Sequence, residues 1–274
     1  MKRHLPHLNA TVFNAAAAVA VMGVLALSPG AAAQCESWKP LGAGLSGGEG
    51  TVRSLITYNG DLIAAGHFTS AGGQEANLIA RWDGAQWHPL GEGLSAPSSE
   101  FSGVWDMAVY EGDLIVAGDI SQAGGQPVAN VARWDGQAWY PMGESLDASE
   151  YDVVYTLQAY PGYLFAGGSL PNDQFESNVV FWDEGSWQSM GEFFWIPYDL
   201  QIFQGQLVTY GWGANYLRVW NGETWANLYV IPPDDPQFAG IVYYFEIYDD
   251  QLIVTSCIED GVQHLENPPD GDSQ

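Results

Sequence analysis

Short runs of mostly apolar residues, separated by two-residue polar turns, recur along most of the chain. The first pair of runs covers residues 52–66, with Asn59-Gly60 between them. A run, a tight turn and a second run predict a β-hairpin, whose strands we name a and b. The same arrangement returns at residues 104–118, 154–168, 197–211 and 242–256.

A second hairpin follows the first in four of these units, and it carries two Trp residues five positions apart around a polar turn. Its pattern is clearest from Ile79 to Gly91, where Trp-Asp-Gly leads into the turn. We name its strands c and d, so each unit is predicted to hold four antiparallel strands. The paired residues are Trp82 and Trp87, Trp134 and Trp139, Trp182 and Trp187, and Trp220 and Trp225.

The first Trp of each pair recurs after 52, 48 and 38 residues, and periods of about 40 to 50 residues are typical of propeller blades. A fifth unit begins at Val242 without a strand d, while residues 36–42 resemble a strand d without a, b or c. The sequence therefore predicts an all-β fold: a β-propeller of five blades of four antiparallel strands, closed by the N-terminal strand completing the last blade. A fragment of a larger propeller, or a further blade within the divergent segments, is the alternative.

The N-terminus has the pattern of a secretory signal peptide. Lys2 and Arg3 precede an apolar run at residues 15–27, and small residues follow up to Ala33. The run is shorter than the roughly 20 residues that cross a bilayer, so we predict cleavage after Ala33, no membrane span afterwards, and a secreted or periplasmic protein. The predicted domains are a signal peptide at 1–33, a β-propeller at 34–267 and a short polar tail at 268–274.

The chain is strongly acidic, with 33 Asp and Glu against 7 Lys and Arg and a formal net charge of −26. Loss of residues 1–33 removes two basic residues and no acidic one, which leaves a charge near −28. Such a charge repels nucleic acid and anionic lipid, so neither is an expected partner. The spacing of a calcium loop is absent, and His67, His88 and His264 fall at different blade positions. No metal site and no cofactor is predicted.

The repeated unit resembles the kelch-type blade, which also builds the central domain of galactose oxidase. The resemblance rests on Leu62-Ile-Ala-Ala-Gly66 in strand b, a long loop and Arg81-Trp-Asp-Gly84 before the second Trp, and it covers nearly all of residues 36–267. It implies the propeller fold. The Gly-Gly pair that usually ends strand b of a kelch blade stands only at Gly167-Gly168, and the His positions do not support the copper chemistry of galactose oxidase.

Cys35 and Cys257 are the only cysteines, and an even count in an exported chain favours a disulfide between them. Cys35 lies at the start of the predicted closing strand, whereas Cys257 lies at the far end of a strand b. The bridge therefore requires the N-terminal segment to fold back, and the bridged and free states both stay open. No His is predicted beside either cysteine, which argues against a catalytic thiol.

The Trp pairs recur in four units, so they are predicted to pack between blades and not to form a unique site. The Asp or Asn that follows the first Trp of each pair is predicted to cap the turn between strands c and d. These capping residues are Asp83, Asp135, Asp183 and Asn221.

Positions at which the repeats differ are better candidates for a binding site. Strand a is the innermost strand of a blade, so its first residues are expected to surround one mouth of the central channel. Four aromatic residues and one Arg stand there, and Asp106 and Asp199 follow two of them. Such a set suits a neutral polar ligand such as a sugar, and packing between blades is the alternative role. The five positions are Arg53, Trp105, Tyr155, Tyr198 and Tyr243.

We therefore predict an exported, non-enzymatic binding or scaffold propeller that recognises a glycan or an extracellular protein at this mouth. The alternative is a glycoside hydrolase or lyase that uses inner-strand carboxylates, for which Asp106, Asp199 and Glu246 qualify. No catalytic motif surrounds these residues, which favours the binding function. The sequence carries no signal for a particular oligomeric state.

Overall fold

The structure is a computed structural model, and it describes residues 40–97, 102–143, 146, 152–170, 177–193, 195–211, 217–228, 242–248, 251–256 and 263–265. The regular secondary structure of these residues consists of β-strands alone, which confirms the predicted all-β class. No helix among them is long and apolar enough to span a membrane. The predicted signal peptide, both cysteines and the C-terminal tail lie outside the described residues.

The strands follow the repeated units of the sequence. The first unit, with the segment before it, contains β1 (Leu45–Ser46), β2 (Thr51–Tyr58), β3 (Asp61–His67), β4 (Ser70–Ala71), β5 (Gln74–Glu75), β6 (Ile79–Trp82) and β7 (Trp87–Pro89). The second contains β8 (Leu94–Ser95), β9 (Gly103–Tyr110), β10 (Asp113–Asp119), β11 (Gln122–Ala123), β12 (Gln126–Pro127), β13 (Val131–Trp134) and β14 (Trp139–Pro141). The third and fourth contain β15 (Val153–Tyr160), β16 (Tyr163–Ser169), β17 (Val179–Asp183), β18 (Ser186–Ser189), β19 (Pro197–Phe203), β20 (Gln206–Gly211), β21 (Leu217–Trp220) and β22 (Trp225–Leu228). The fifth contains β23 (Val242–Tyr248), β24 (Gln251–Ser256) and β25 (Gln263–Leu265).

Four of the five units form four-stranded antiparallel sheets with the strands in the order a, b, c, d, as predicted. We call them blades 1 to 4: β2-β3-β6-β7, β9-β10-β13-β14, β15-β16-β17-β18 and β19-β20-β21-β22. The fifth unit, blade 5, has the order β23-β24-β25 within the described residues. In blades 1 to 4, each of the two predicted hairpins thus forms one half of the sheet.

The innermost strands of successive blades lie side by side. β2 contacts β9, β9 contacts β15, β15 contacts β19, and β19 contacts β23. The core lies between the faces of neighbouring blades: Ile63 and Ile79 of blade 1 share one buried cluster with Leu114 and Trp139 of blade 2. Sheets that stack face to face around their innermost strands have the architecture of a β-propeller.

The loops between strands b and c of blades 1 and 2 form small hairpins that the sequence pattern did not predict. β4 pairs with β5 and with β1, and β11 pairs with β12 and with β8. Gly72-Gly73 and Gly124-Gly125 form the hairpin turns, with φ between 55° and 81°, a region that Gly enters at little cost. Each hairpin therefore ties its loop to the segment that leads into the same blade.

The Trp of strand d attaches each blade to the preceding one. Its Nε1 donates a hydrogen bond to the main-chain oxygen of the residue before a Gly: Trp139 to Leu90 at 3.0 Å and Trp187 to Met142 at 2.9 Å. The Gly then lies against the Trp rings, and a Cβ on Gly143 would come 2.9 Å from Cδ1 of Trp187. These contacts confirm that the Trp pairs pack between blades. The other two bonds run from Trp87 to Leu41 at 2.9 Å and from Trp225 to Met190 at 3.0 Å.

The first described residues contact blade 1 in the same way as the end of strand d in one blade contacts the next blade. The oxygen of Leu41 accepts from Trp87 as the oxygen of Leu90 accepts from Trp139. Gly42 then lies against the Trp82 ring, 3.2 Å from an added Cβ. This arrangement agrees with the expectation that residues 36–42 belong to a blade other than the one they precede.

One face of blade 1 is left open by the part of the chain that the structure describes. Leu55 is 61% exposed, whereas the residues at the equivalent position of the next three blades, Met107, Leu157 and Leu200, are at most 6% exposed. Those three are covered by the blade that precedes them in the chain. Closure of the ring onto β2 therefore stays a prediction.

Side-chain caps form the turns between strands c and d. Oδ1 of Asp83 accepts hydrogen bonds of 2.8 Å from the backbone N–H groups of Ala85 and Gln86. Asp135 and Asn221 cap their turns in the same way, as predicted. The turn of blade 3 differs, because β17 extends through Asp183, which pairs with Ser186.

Candidate functional site

All five residues predicted to surround the channel mouth occupy the same irregularity of the sheet. In blade 1 the pairing passes from Val52 and Gly66 to Ser54 and Ala65, so Arg53 is the extra residue of a β-bulge. A bulge turns its extra side chain out of the regular alternation of the strand. The same shift in the other blades leaves out Trp105, Tyr155, Tyr198 and Tyr243.

The bulges explain a Gly in strand b of the first three blades. A Cβ added to Gly66 would collide with the main-chain oxygen of Thr51, and one added to Gly168 would collide with that of Val153. Only a residue without a Cβ permits this approach of two strands. The bulges were not among the features predicted from the sequence, and the Gly inside strand b is the signal that indicates them.

Four of the five residues touch one another across the blades, and we call Arg53, Trp105, Tyr155 and Tyr198 the mouth row. The Arg53 guanidinium carbon lies 4.2 Å from the centroid of the Trp105 ring. Trp105 meets Tyr155 edge to face at a centroid distance of 4.9 Å, and Tyr155 lies 5.8 Å from Tyr198. Such cation–ring and ring–ring geometries are favourable. The side chain of Tyr243 lies outside the description.

The mouth row is only partly buried. Arg53, Trp105 and Tyr155 are half-buried, and Tyr198 is 43% exposed. Arg53 covers one face of Trp105, whereas Tyr198 stands at the other end of the row and also contacts Tyr210 of strand b at 6.3 Å. The row therefore combines packing between blades with a ring that is open to solvent.

Arg53 links the row to the neighbouring loops. Its Nη1 donates a 2.9 Å hydrogen bond to the main-chain oxygen of Ser102, and its Nη2 lies 3.7 Å from Oε2 of Glu49. Burial lowers the pKa of Arg53, while the negative charge of Glu49 opposes this shift. The guanidinium is thus held in place over the Trp105 ring.

Asp106 joins three inner strands. Its Oδ2 accepts a 2.8 Å hydrogen bond from the backbone N–H of Leu157, and its Oδ1 accepts bonds from the N–H of Met107 at 2.7 Å and the hydroxyl of Ser54 at 3.3 Å. Burial raises the pKa of Asp106 to about 6; the hydrogen bonds oppose the rise, and the negative charge of Asp199 adds to it.

The next two blades carry Thr156 and Asp199 at the same position. Oγ1 of Thr156 accepts a 3.2 Å hydrogen bond from the N–H of Leu200, which repeats the link made by Asp106. Oδ2 of Asp199 accepts a 2.8 Å bond from Nε2 of Gln201. Burial raises the pKa of Asp199; hydrogen bonds from Gln201 and Leu200 lower it, and the charge of the exposed Glu246 raises it. The acidic residues of blades 2, 4 and 5 thus influence one another electrostatically.

These contacts indicate different roles for the carboxylates of Asp106 and Asp199. A general acid needs a carboxyl group whose O–H can reach the substrate. Both oxygens of Asp106 accept hydrogen bonds from the chain, so Asp106 is a link between blades. Asp199 has a raised pKa and fewer such bonds from neighbouring blades, which makes it the more suitable proton donor or hydroxyl acceptor.

No group of three or more His, Cys, Asp or Glu among the described residues is arranged to hold a metal ion. Nδ1 of His67 lies 3.5 Å from Oε2 of Glu49, and Nε2 of His88 lies 2.6 Å from Oδ2 of Asp83. The two His residues therefore have separate partners. The side chain of His264, on β25, lies outside the description.

No protein-family model and no curated protein matches this sequence. Solved structures are similar to it at low identity. The extracellular domain of BT4673 from B. thetaiotaomicron is 8% identical with a TM-score of 0.48, over 81% of this chain and 32% of that one. YCF48 bound to D1 peptide is 14% identical with a TM-score of 0.47, over 75% and 60%. PorZ, a surface component of the type-IX secretion system of Porphyromonas gingivalis, is 13% identical with a TM-score of 0.45, over 74% and 30%.

This chain therefore spans about a third of the length of the BT4673 domain and of PorZ, and three fifths of YCF48. At these identities the similarity concerns the fold and no functional residue.

Proposed function

We propose that this protein is an exported, kelch-type propeller of five blades that binds a neutral glycan at the channel mouth without cleaving it. One observation carries the proposal: bulges on neighbouring inner strands place Trp105, Tyr155 and Tyr198 in a continuous aromatic row that ends in an exposed ring. Aromatic rings pack against the apolar faces of sugars, and Asp199, next to Tyr198, supplies an acceptor for hydroxyl groups.

Charge narrows the class of glycan. The chain has a formal net charge of −26, which disfavours an anionic ligand. Arg53 is the cation of the mouth row, and it is already bonded to Ser102 and close to Glu49. A neutral sugar chain is not repelled by the negative charge of the protein and does not need a free cation to bind.

Closure of the ring is part of the proposal, because a channel mouth requires blades on all sides. Residues 36–42 would supply strand d of blade 5 after removal of the signal peptide. The contact of Leu41 with Trp87 supports this, since it repeats the contact of Leu90 with Trp139. Blade 5 would then have four strands like the others.

Catalysis as a glycoside hydrolase or lyase is the second candidate. It is favoured by the raised pKa values of Asp106 and Asp199, because such an enzyme needs a carboxyl group that can donate a proton. The hydrogen bonds that Asp106 accepts from two strands weigh against it. In a hydrolase, Asp106→Asn or Asp199→Asn would abolish turnover while glycan binding survived. Incubation of the wild-type protein with bound glycans, followed by an assay for new reducing ends, separates cleavage from binding.

A screen of the purified protein against an array of neutral and acidic glycans tests the proposal. We expect binding to a neutral glycan, weakened about tenfold or more in Tyr198→Ala. Tyr140→Ala is the matched control, because Tyr140 is 41% exposed but lies on the outer strand β14. Absence of glycan binding, or equal loss in both variants, would overturn the proposal. Capture of an extracellular protein by the same surface would indicate the other class of partner.

A further inference from the structure

A separate cleft lies at the other end of the inner strands, between the turns of blades 2 and 3. We call it the turn cleft, and its volume is about 250 Å³. A shallower groove of about 360 Å³ along Tyr160 and Pro161 continues from it. The residues whose chemistry defines the turn cleft are Tyr110, Glu111, Tyr163, Trp182, Asp183 and Glu184.

The lining combines aromatic rings with negative charge. Tyr110, Tyr163 and Trp182 are half-buried, so part of each side chain remains accessible. Glu111, Asp183 and Glu184 bring three carboxylates, and no Lys or Arg is among the described residues that line the cleft. The electron-rich face of an aromatic ring attracts a cation, and carboxylates strengthen that attraction.

Blades 1 and 2 carry an ion pair at two positions that differ in blade 3. Arg81 pairs with Asp61 at 2.6 Å in blade 1, and Arg133 pairs with Asp113 at 2.7 Å in blade 2. In blade 3 the same two positions carry Phe181 and Tyr163. Both residues pack on the side of blade 3 that meets blade 4: Phe181 lies in a cluster with Leu207 and Trp220, and Tyr163 stacks on Phe165 at 6.0 Å.

The opening also differs from its counterpart between blades 1 and 2. Between blades 1 and 2 the residue equivalent to Tyr110 is Tyr58, which is 6% exposed, and a Cβ on Gly136 would lie 3.7 Å from its hydroxyl. Tyr110 is half-buried instead. The turn beside it also differs, because Asp183 pairs with Ser186 across a two-residue turn. Blade 3 therefore departs from the repeat in both its side chains and its turn.

We propose that the turn cleft binds a small organic cation, an ammonium group on an apolar stem. The rings of Tyr110 and Trp182 would contact the cation, and the three carboxylates would complement its charge. The groove along Tyr160 and Pro161 would take the stem. The acidic surface of the whole chain raises the local concentration of cations around it. This site lies at the opposite end of strand a from the mouth row and does not depend on glycan binding.

Calorimetric titration with choline, compared with its uncharged carbon isostere dimethylbutanol, tests this proposal. The two probes have nearly the same shape, so the charge alone distinguishes them. We expect saturable binding of choline and about tenfold weaker binding of dimethylbutanol. Equal affinity for both probes, or no binding of choline, would overturn the proposal.

Two sets of variants locate the binding. Tyr110→Ala removes a half-buried ring from the lining and should weaken choline binding at least about threefold. Glu111→Gln combined with Glu184→Gln changes two exposed residues, so the variant should fold normally. It should weaken choline binding at least about threefold. Glu192→Gln combined with Glu223→Gln removes the same charge elsewhere on exposed residues and should leave binding unchanged. Unaltered choline binding in both cleft variants would refute the assignment.

Discussion

The indole nitrogen of Trp187 donates a 2.9 Å hydrogen bond to the main-chain oxygen of Met142, and so joins blade 3 to the end of blade 2. The same bond recurs at three other pairs of segments. Both residues at this junction are buried, at 4% exposure each. A buried oxygen without a donor costs free energy, so this repeated bond has a measurable part in holding the blades together.

Replacement of Trp187 by Phe should lower the free energy of unfolding by about 1 to 3 kcal/mol, because it removes the donor and leaves the oxygen of Met142 buried. Trp182→Phe removes similar ring area from the same blade without breaking this bond, and it should cost less. Denaturant unfolding followed by circular dichroism measures both variants. An equal loss in the two would show that ring area, and not the hydrogen bond, accounts for the effect.

Replacement of Gly143 by Ala should destabilise the protein by about 2 kcal/mol or more. The new Cβ would lie 2.9 Å from Trp187 and 3.2 Å from Trp182 at a φ of 84°, so backbone strain and a clash add together. Gly162→Ala is the matched control: its φ is 80°, but nothing lies within 4 Å of the added Cβ. Gly162→Ala should lower the free energy of unfolding by the backbone strain alone, about 1 to 2 kcal/mol. Equal midpoints of thermal unfolding would mean that the Trp rings move aside.

Asp106 should make the stability of the protein dependent on pH. Its folded-state pKa of about 6 lies above the unfolded value of 3.8, so the folded state binds the proton more tightly. Its contribution is therefore fully favourable below about pH 4 and is lost as the pH rises through 6. The change in unfolding free energy between pH 4 and pH 7 should be roughly 1 to 3 kcal/mol from this residue.

Asp106→Thr tests that assignment, because Thr156 already makes the equivalent link in blade 3. The variant should show a smaller fall in stability between pH 4 and pH 7 than the wild type. Glu223→Gln, on an exposed turn, controls for the change in net charge. A pH profile that is unchanged in Asp106→Thr would contradict the burial of this carboxylate.

Replacement of Leu55 by Ala tests whether the ring closes onto blade 1. Leu55 is 61% exposed, whereas Leu157 at the equivalent position is 6% exposed. If blade 5 and the N-terminal strand cover Leu55 as we propose, both Leu→Ala variants should cost about 2 to 5 kcal/mol. A loss below about 0.5 kcal/mol for Leu55→Ala, with a large loss for Leu157→Ala, would argue for an open array.

Local features of the fold were predictable because the information lies within a few residues. The hairpin predicted at 52–66 is β2 and β3, and its turn residues Asn59 and Gly60 have φ values of 50° and 88°. Positive φ values at both turn residues are typical of the two-residue β-hairpin turn that Asn-Gly favours. The recurrence of the pattern then predicted the number and order of strands in blades 1 to 4.

The candidate site was predictable only in part. The sequence marked Arg53, Trp105, Tyr155 and Tyr198 as equivalent positions, yet it did not show that each is a bulge residue or that the four touch. It also treated Asp106 as a channel carboxylate, whereas the structure uses both of its oxygens to join strands of neighbouring blades. The contacts of Asp106 with Ser54 and Leu157 join residues 52 and 51 positions apart in the chain.

The sequence by itself determined the all-β class, the four-stranded unit and the repeat, because alternation, turn residues and paired Trp act over short distances along the chain. Tertiary structure alone decided which faces meet. It ordered the aromatic residues into a row, gave Asp106 its partners and opened a cleft between the turns of blades 2 and 3. The physical reason is that burial and pairing between blades depend on the positions of whole sheets, which no single segment of the chain encodes.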